Sequence, residues 1–424
     1  MTSALIADLE WRGLIAQTTD RDALLKQLDG GSTAFYIGFD PTAPSLHLGN
    51  LVVLLVMRRF QLAGHKPLPL VGGATGLVGD PSGRNEERSL NEADVVEQWV
   101  GRIRTQLSKF LDFESSANAA VMTNNLDWTK PVSALDFLRD IGKHFSVNQM
   151  LSKDSVSSRL EGGGISYTEF SYQVLQAFDF LELYRRYDCT LQLGGSDQWG
   201  NIVAGLDLIR KVEGATAHCL TIPLLMKSDG TKFGKTAGGS VWLDPEMTSP
   251  YAFYQFWLNS DDADVPKYLK VFSFKNHAEI SELIASHEAN PGLREAHRAL
   301  ARELTTLVHG AGECEAAERA AKALFGQGEL SELDEKTLAS ALSQLPKTTI
   351  AAGSSFPTWV DLLAATGVVD SKSAARRIVK EGGAYLNNVK VPTEYFTPTH
   401  ENLLFGRFLL LRKGKRDLAA VEVI

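Results

Sequence analysis

Three times within the first 141 residues a short extended stretch gives way to a loop and then to a helical run, and this alternation restricts the fold more than any other feature of the chain. Thr33 to Phe39, rich in β-branched and aromatic residues, precedes a Pro-rich turn and the helical run Asn50 to Ala63. Pro67 to Val71 precedes a Gly-rich loop and a helix from about Asn91 to Leu111, and Ala119 to Thr123 precedes a helix near Ser133 to Ile141. Alternation of this kind implies right-handed crossovers, hence a parallel sheet with helices on both faces, an α/β fold of Rossmann-like type. Tyr167 to Tyr184 continues as a long helix, Cys189 to Leu193 as a strand, Asp197 to Val212 as a helix and Cys219 to Met226 as a strand, so the domain is expected to span residues 1–240.

Ser249 to about Leu345 is helical in period without a convincing strand, which predicts an α-helical domain over 241–345. Lys347 to Pro357 mixes small residues, Gly and Pro and reads as a linker, placed at 346–356. Beyond it lie two short helical patterns, Trp359 to Thr366 and Ser371 to Glu381, then Ala384 to Val391 with an Asn-Asn turn, and a closing strand near Phe405 to Arg412. These elements make a small α+β module over 357–424.

The 424 residues exceed what one hydrophobic core usually organises, in keeping with several domains. The longest apolar run, Leu51 to Met57, falls far short of the roughly 20 residues a membrane span requires. The N-terminus carries Asp8 and Glu10 and no basic-then-apolar pattern, so a cytoplasmic protein is expected. Cys189, Cys219 and Cys314 are too widely spaced for a disulfide framework or a structural zinc site and are expected as small core residues. A net charge of −8 argues against a chain held to nucleic acid by bulk charge. Its distribution is uneven: Ser355 to Ile424 holds ten Lys or Arg against seven Asp or Glu, leaving the acidic excess to the body. A basic end on an acidic body points to one module that faces nucleic acid.

Two segments carry phosphate chemistry. Asp40-Pro-Thr-Ala-Pro-Ser-Leu-His47-Leu-Gly49-Asn50 joins the first sheet strand to its helix, where glycine permits close approach, the helix N-terminus offers oriented N–H groups and His47 adds a donor. Lys232-Phe-Gly-Lys235-Thr236 follows a later strand, and two lysines three apart on a Gly-containing loop can meet a polyphosphate as charge develops. Each alone also fits an ordinary turn. A third constellation is Tyr172, Gln176 and Asp179, whose spacing by four and then three puts three polar residues on one face of a helix.

Together the two segments resemble the paired signatures of class I aminoacyl-tRNA synthetases, which flank ATP at the C-terminal edge of a Rossmann sheet. The strings Phe35-Tyr36-Ile-Gly38-Phe-Asp40-Pro-Thr42, Gly76-Leu-Val-Gly-Asp80-Pro-Ser-Gly83, Tyr167-Thr-Glu-Phe-Ser-Tyr172 and Gln192-Leu-Gly-Gly-Ser-Asp197-Gln198-Trp199-Gly200-Asn201 are similar, in order, to the bacterial tyrosyl-tRNA synthetase family. That resemblance covers essentially the whole chain. The terminal module resembles the small RNA-binding domain named after ribosomal protein S four, through Ser371-Lys-Ser-Ala-Ala-Arg376-Arg377-Ile-Val-Lys380 and the Gly382 to Val391 segment.

What the resemblance implies is specific. Tyr36 and Asp179 match the positions that contact the tyrosine hydroxyl; Asp80, Tyr172 and Gln176 match those that receive the ammonium; Gln192 and Gln198 resemble further tyrosine contacts. Gly38, Asp40, His47, Gly49, Asn50, Gly195, Asp197 and Lys235 fall at ATP-binding positions, with Gly195 and Asp197 toward the ribose. Thr42 and His47 look toward the terminal phosphates, and Lys232, Lys235 and Thr236, with Arg84 and Arg88, toward pyrophosphate. Arg376, Arg377 and Lys380 would meet tRNA phosphates. The implied substrates are L-tyrosine, ATP with Mg²⁺ and tRNA(Tyr), and the implied assembly is a homodimer. The chain departs from the family pattern at Asn50, where a second His is common, at Phe233-Gly234 in place of Met-Ser, and at Arg84, where Lys is common.

Three other readings compete. A tryptophanyl enzyme shares the sheet, but the polar pair Tyr36 and Asp179 argues against an indole pocket. A non-catalytic RNA-binding protein on the same scaffold has no use for two phosphate-facing segments. Another nucleotidyl transferase has no use for the terminal module.

Overall fold

A computed structural model describes residues 2–82, 91–114, 117–161, 163–236 and 239–424. The chain divides into two compact units: Met1–Asp244 with Asp262–Ile280, and Pro245–Asp261 with Ser281–Ile424.

The first unit is built on a six-stranded sheet of β1 (Gln17–Thr18), β2 (Ala34–Phe39), β3 (Lys66–Val71), β4 (Thr123–Asn124), β5 (Cys189–Gly195) and β6 (His218–Ile222). Its order is β1-β6-β5-β2-β3-β4, parallel throughout except for the edge strand β1. The strand order reverses between β2 and β5, and a crevice opens at such a switch point beyond the carboxyl ends of the strands. Prolines 67 and 69 sit in β3 without breaking its pairing with β2. Their carbonyls face the other way, toward Val121 N at 3.0 Å and Thr123 Oγ1 at 3.2 Å, so the missing N–H groups fall on the side of the two-residue strand β4.

The helix Tyr167–Tyr187 covers the sheet on the side of Tyr36. Ser166 caps its first turn, accepting from Glu169 N, and Asp188 ends it in the left-handed conformation at φ 53°. Phe178, Phe180, Leu181 and Leu183 bury against Tyr36, Leu68, Leu70 and Cys189. Inside this packing Arg159 meets Glu169 at 2.9 Å, both side chains buried. All three cysteines are buried free thiols, as expected of small core residues.

Residues 262–280 belong to this unit, so the boundary expected at 240 is not a single crossing. Two arginines distant in sequence help to hold them there: Arg12 donates to the carbonyls of Lys270, Ser273 and Lys275, and Arg59 to that of Ser273. Two short strands, β7 (Lys235–Thr236) and β8 (Gly239–Ser240), complete the described part of the unit.

The second unit contains a helical bundle and a terminal module. The bundle includes the helices Pro250–Leu258, Glu295–His309, Ala311–Leu324 and Glu335–Ser343. The module is a five-stranded sheet of β9 (Lys347–Ile350), β10 (Ala384–Leu386), β11 (Val389–Lys390), β12 (Phe408–Lys413) and β13 (Asp417–Val423), in the order β11-β10-β12-β13-β9. The helices Trp359–Ala365 and Lys372–Lys380 close its core through Trp359, Leu363, Ala375 and Val379. Two features depart from the expectation. The segment 346–356, expected as a linker, contains β9, which pairs in parallel with β13, and β13 itself is a strand that no sequence pattern announced. β9, four residues at the sheet edge, carries too few residues for alternation to show. Among the described residues, no helix is long and apolar enough to cross a membrane.

Candidate active site

Tyr36 and Gln192 are register partners on adjacent strands, so their side chains rise from the same face of the sheet. Gly38, two residues further along the central strand β2, is exposed, which marks an open face above it. The helix Tyr167–Tyr187 brings Tyr172, Gln176 and Asp179 to the same place. Three buried polar atoms here have no hydrogen-bond partner of normal geometry within the protein: Tyr36 Oη, Gln176 Oε1 and Gln192 Oε1. Each leaves an acceptor or hydroxyl that a polar ligand could pair.

Asp179 is 2% exposed and receives two donors, Trp128 Nε1 on Oδ1 at 2.8 Å and Asn125 Nδ2 on Oδ2 at 2.9 Å. Burial pushes its carboxyl up to about 7, against the opposing effect of those two hydrogen bonds. Burial likewise raises the Tyr36 phenol well above its usual range, with the Asp179 charge adding to it and Gln192 opposing it. The Tyr36 phenol therefore keeps its proton at neutral pH, whereas the Asp179 carboxyl stands near the middle of its titration there.

Asn125, fully buried, ties this end of the pocket to the other. Its amide also donates to Thr75 Oγ1 at 2.9 Å and accepts from Ala74 N at 2.7 Å. Thr75 Oγ1 in turn donates to Asp40 Oδ1 at 2.6 Å, and Tyr172 Oη donates to Asp40 Oδ2 at 2.6 Å. A continuous chain thus runs Trp128, Asp179, Asn125, Thr75, Asp40, Tyr172. Asp80 accepts from Gln198 Nε2 at 2.7 Å and from Ser82 N at 2.9 Å, which brings together two more expected site residues. Sequence reasoning misses Asn125, Thr75 and Trp128. Only their side-chain contacts single them out, since Thr75 opens the short helix Thr75–Val78 and Asn125 and Trp128 lie at the short helix Leu126–Thr129, without a distinguishing pattern.

His47 is the N-cap of the helix Leu48–Leu62. Its Nδ1 accepts from Asn50 N at 3.3 Å while Asn50 Oδ1 accepts from His47 N at 3.1 Å, a reciprocal capping box. Asn50, in place of a second His, therefore fixes the cap. With Nδ1 so used, Nε2 is the imidazole atom that can face a ligand. Burial lowers the His47 pKa and the Lys235 charge adds to the effect, keeping the ring neutral. A side chain at Gly49 would place a Cβ 2.9 Å from the imidazole, so glycine there makes room for His47 itself. Thr42 is exposed beyond β2, Gly195 is the last residue of β5 and Asp197 follows it.

The lysine segment is joined to the histidine segment through backbone: Leu48 N donates to Val241 O at 3.0 Å, Leu243 N to Leu46 O at 2.8 Å, and Val241 N to Gly234 O at 2.9 Å. Lys232 and Lys235 remain exposed while Phe233 between them is buried, its ring 5.0 Å from Tyr268 and 5.2 Å from Phe272. Ser228 N donates to Asp264 Oδ1 at 2.8 Å in the same arrangement. The Phe in place of Met is thus an aromatic anchor for the loop. Of Thr236 only the backbone, in β7, is described, and Arg84 and Arg88 lie outside the described residues.

On the terminal module Arg376 and Lys380 both approach Glu394, at 3.9 and 3.8 Å, whereas Arg377 lies by Glu381 at 4.0 Å. The three cations are exposed, but only two of them share a partner. Glu394 carries no sequence signal that would single it out.

The switch point of the sheet, the buried polar side chains beside it and the capped histidine joined to the lysine loop all belong to the first unit. The family of tRNA synthetases class I (W and Y) matches residues 28–326, and the chain belongs to it. The Tyrosine--tRNA ligase SYY-like C-terminal domain matches residues 337–421. Over its whole length the chain is similar to proteins named tyrosine–tRNA ligase. That of Streptomyces avermitilis is 62% identical over 421 residues, covering 99% of each chain. That of Mycobacterium tuberculosis strain H37Rv is 55% identical over 425 residues, covering 100% of each. Among solved structures, a C-terminally truncated mitochondrial tyrosyl-tRNA synthetase of Aspergillus nidulans aligns with a TM-score of 0.69 at 32% identity, over 76% of this chain and 94% of that one. A tryptophanyl-tRNA synthetase from Encephalitozoon cuniculi shares the fold, with a TM-score of 0.55 at 13% identity, over 80% of this chain and 94% of that one.

Proposed function

We propose that this chain is a tyrosine–tRNA ligase that activates L-tyrosine with ATP and transfers it to the 3′-terminal adenosine of tRNA(Tyr). The observation that carries the reading is Asp179, a carboxyl group buried beside the Tyr36 hydroxyl and held by two donors. A pocket for phenylalanine gains nothing from burying these groups, whereas the tyrosine hydroxyl pairs them. Stranding them costs about 1 to 3 kcal/mol per group. Tyrosyl-tRNA synthetases are the standing example of such discrimination, and the factor of roughly 10⁵ without editing belongs to that enzyme type rather than to a calculation on this pocket.

In this reading Tyr36 and Asp179 hold the hydroxyl, and Asp80, Tyr172 and Gln176 receive the ammonium, with Gln192 and Gln198 completing the pocket. Tyr172 donates its proton to Asp40, which leaves its oxygen free to accept. Gly38, Asp40, Gly49, Asn50, Gly195 and Asp197 line the nucleotide. The tyrosine carboxylate is ionised at neutral pH and attacks the α-phosphorus of ATP; pyrophosphate leaves with the bond electrons. No general base is required. Catalysis consists of placement and of stabilising charge on the departing phosphates, by His47 Nε2, Thr42, Lys232, Lys235 and Thr236, with Arg84 and Arg88. Mg²⁺ enters with ATP as the ion carried by its phosphates.

The terminal module binds tRNA(Tyr) through Arg376, Arg377 and Lys380. The enzyme acts in the cytoplasm as a homodimer. Support for the dimer comes from Leu135, Leu138, Val147, Leu151, Leu160 and Tyr167, large apolar side chains exposed within one stretch of the first unit. ATP–pyrophosphate exchange with each of the twenty amino acids tests the central reading: exchange with tyrosine alone is expected, and exchange driven by tryptophan or by none overturns it.

A further inference from the structure

We propose that Asn388 latches the terminal module onto the helical bundle, so that the two meet tRNA as one rigid surface; the inference rests on the reading of the module as tRNA-binding. The covalent connection is short. The helix Glu335–Ser343 ends and β9 begins at Lys347, leaving only Gln344, Leu345 and Pro346 between them. Pro346 already belongs to the sheet, its carbonyl accepting from Ala420 N at 2.9 Å. One such connection still permits rotation about itself. Arg407 Nη1, 3.7 Å from Glu335 Oε1, braces the module against the helix Glu335–Ser343, and a hydrogen bond to a second bundle helix restricts it further.

That hydrogen bond comes from the turn between β10 and β11. Asn387 and Asn388 both adopt positive φ, 47° and 67°, as a two-residue hairpin of this hand requires. The usual second residue is Gly, so a side chain at 388 has a use beyond the turn. The two side chains divide the work. Asn387 braces the module internally, donating to Asn402 O at 2.6 Å and accepting from Leu410 N at 2.8 Å. Asn388 points outward and donates to Ala323 O at 2.7 Å, in the last turn of the bundle helix Ala311–Leu324. That carbonyl also accepts from Gly326 N at 3.0 Å, where Gly326 closes the helix at φ +75°. Arg412, its guanidinium 3.9 Å over the Tyr385 ring, packs 3.7 Å from the position a Gly326 Cβ would occupy. The latch therefore brings a second donor to a helix-end carbonyl and is walled by a stacked arginine.

A module held at one angle loses less freedom when tRNA binds, and the gain appears as affinity without any added phosphate contact. The full-length chain with Asn388→Gly tests this, because glycine keeps the turn and deletes only the bridge. Asn388→Asp keeps the size and the turn but offers the carbonyl no donor, and serves as the second variant. Both should weaken tRNA(Tyr) binding about threefold to tenfold, the worth of one hydrogen bond. ATP–pyrophosphate exchange should stay unchanged, and amides at 325–328 should exchange faster with deuterium. The slope of log affinity against log salt should also stay unchanged, whereas Arg376→Ala should reduce it by about one. Unaltered affinity in both Asn388 variants, or a reduced salt slope in them, overturns the latch. If Arg376→Ala and Lys380→Ala change neither affinity nor slope, the tRNA-binding reading beneath it fails instead.

Discussion

Trp128→Phe isolates one of the two donors that hold the Asp179 carboxyl. Phenylalanine keeps an aromatic face for the Arg186 guanidinium but deletes the N–H on Asp179 Oδ1 and the buried volume of the second ring, so the titration of Asp179, not stability, is the readout. A hydrogen bond to a charged group contributes about 1.5 to 3 kcal/mol, and each pH unit corresponds to about 1.4 kcal/mol. Losing it disfavours the ionised carboxyl, which burial has already moved up to about 7. Only the ionised form is purely an acceptor for the tyrosine hydroxyl. In the parent, kcat/KM for tyrosine in ATP–pyrophosphate exchange should therefore rise with pH through an inflection near the Asp179 value. In Trp128→Phe that inflection should move upward by about one to two pH units. Phenylalanine, which has no hydroxyl, should show no such movement, and Asp179→Ala should abolish the inflection together with the preference for tyrosine. The sign for stability is opposite. A carboxyl raised in the folded state contributes stability that is fully present below its unfolded value of about 4 and is lost as pH rises through about 7, so the unliganded enzyme should weaken across that window and Asp179→Asn should flatten the profile. An inflection that stays in place in Trp128→Phe, or that moves equally for phenylalanine, refutes the assignment of Asp179 to the hydroxyl.

The lysine loop should act after ATP has bound: Lys235→Ala should depress single-turnover tyrosyl-adenylate formation by far more than it weakens tyrosine binding, and equal rates in variant and parent would remove the loop from the chemistry. Because β9 pairs with β13, the terminal module is cleanly removed only by ending the chain at Leu345; that truncation should leave exchange nearly intact and sharply reduce tRNA charging, whereas parallel loss of both would make the module a structural support.

Much of the first unit was legible in the sequence because its strands and helices are long enough for periodicity to show, and because the helix face of Tyr172, Gln176 and Asp179 follows from spacing alone. The small terminal elements were less legible. β9, of four residues, lies among small residues and a Gly that read as a linker, and its strand character comes from pairing with residues more than seventy positions away. The departures at Asn50 and Phe233 were visible as letters, but their meaning was not: one completes the cap on His47 and the other anchors the lysine loop on Tyr268 and Phe272.

Local patterns therefore determined the parallel α/β domain, the helical stretch behind it and the candidate residues that project from strand ends and helix faces, since each depends on chain geometry within a few turns. Tertiary structure alone decided what those residues are bonded to. Asn125, Thr75 and Trp128 join the two ends of the pocket, Arg12 and Arg59 draw residues 262–280 into the first unit, and Asn388 reaches a helix end 65 positions back in the chain. Each of these contacts is a hydrogen bond between groups far apart in sequence, and a hydrogen bond leaves no periodic trace in the chain that makes it.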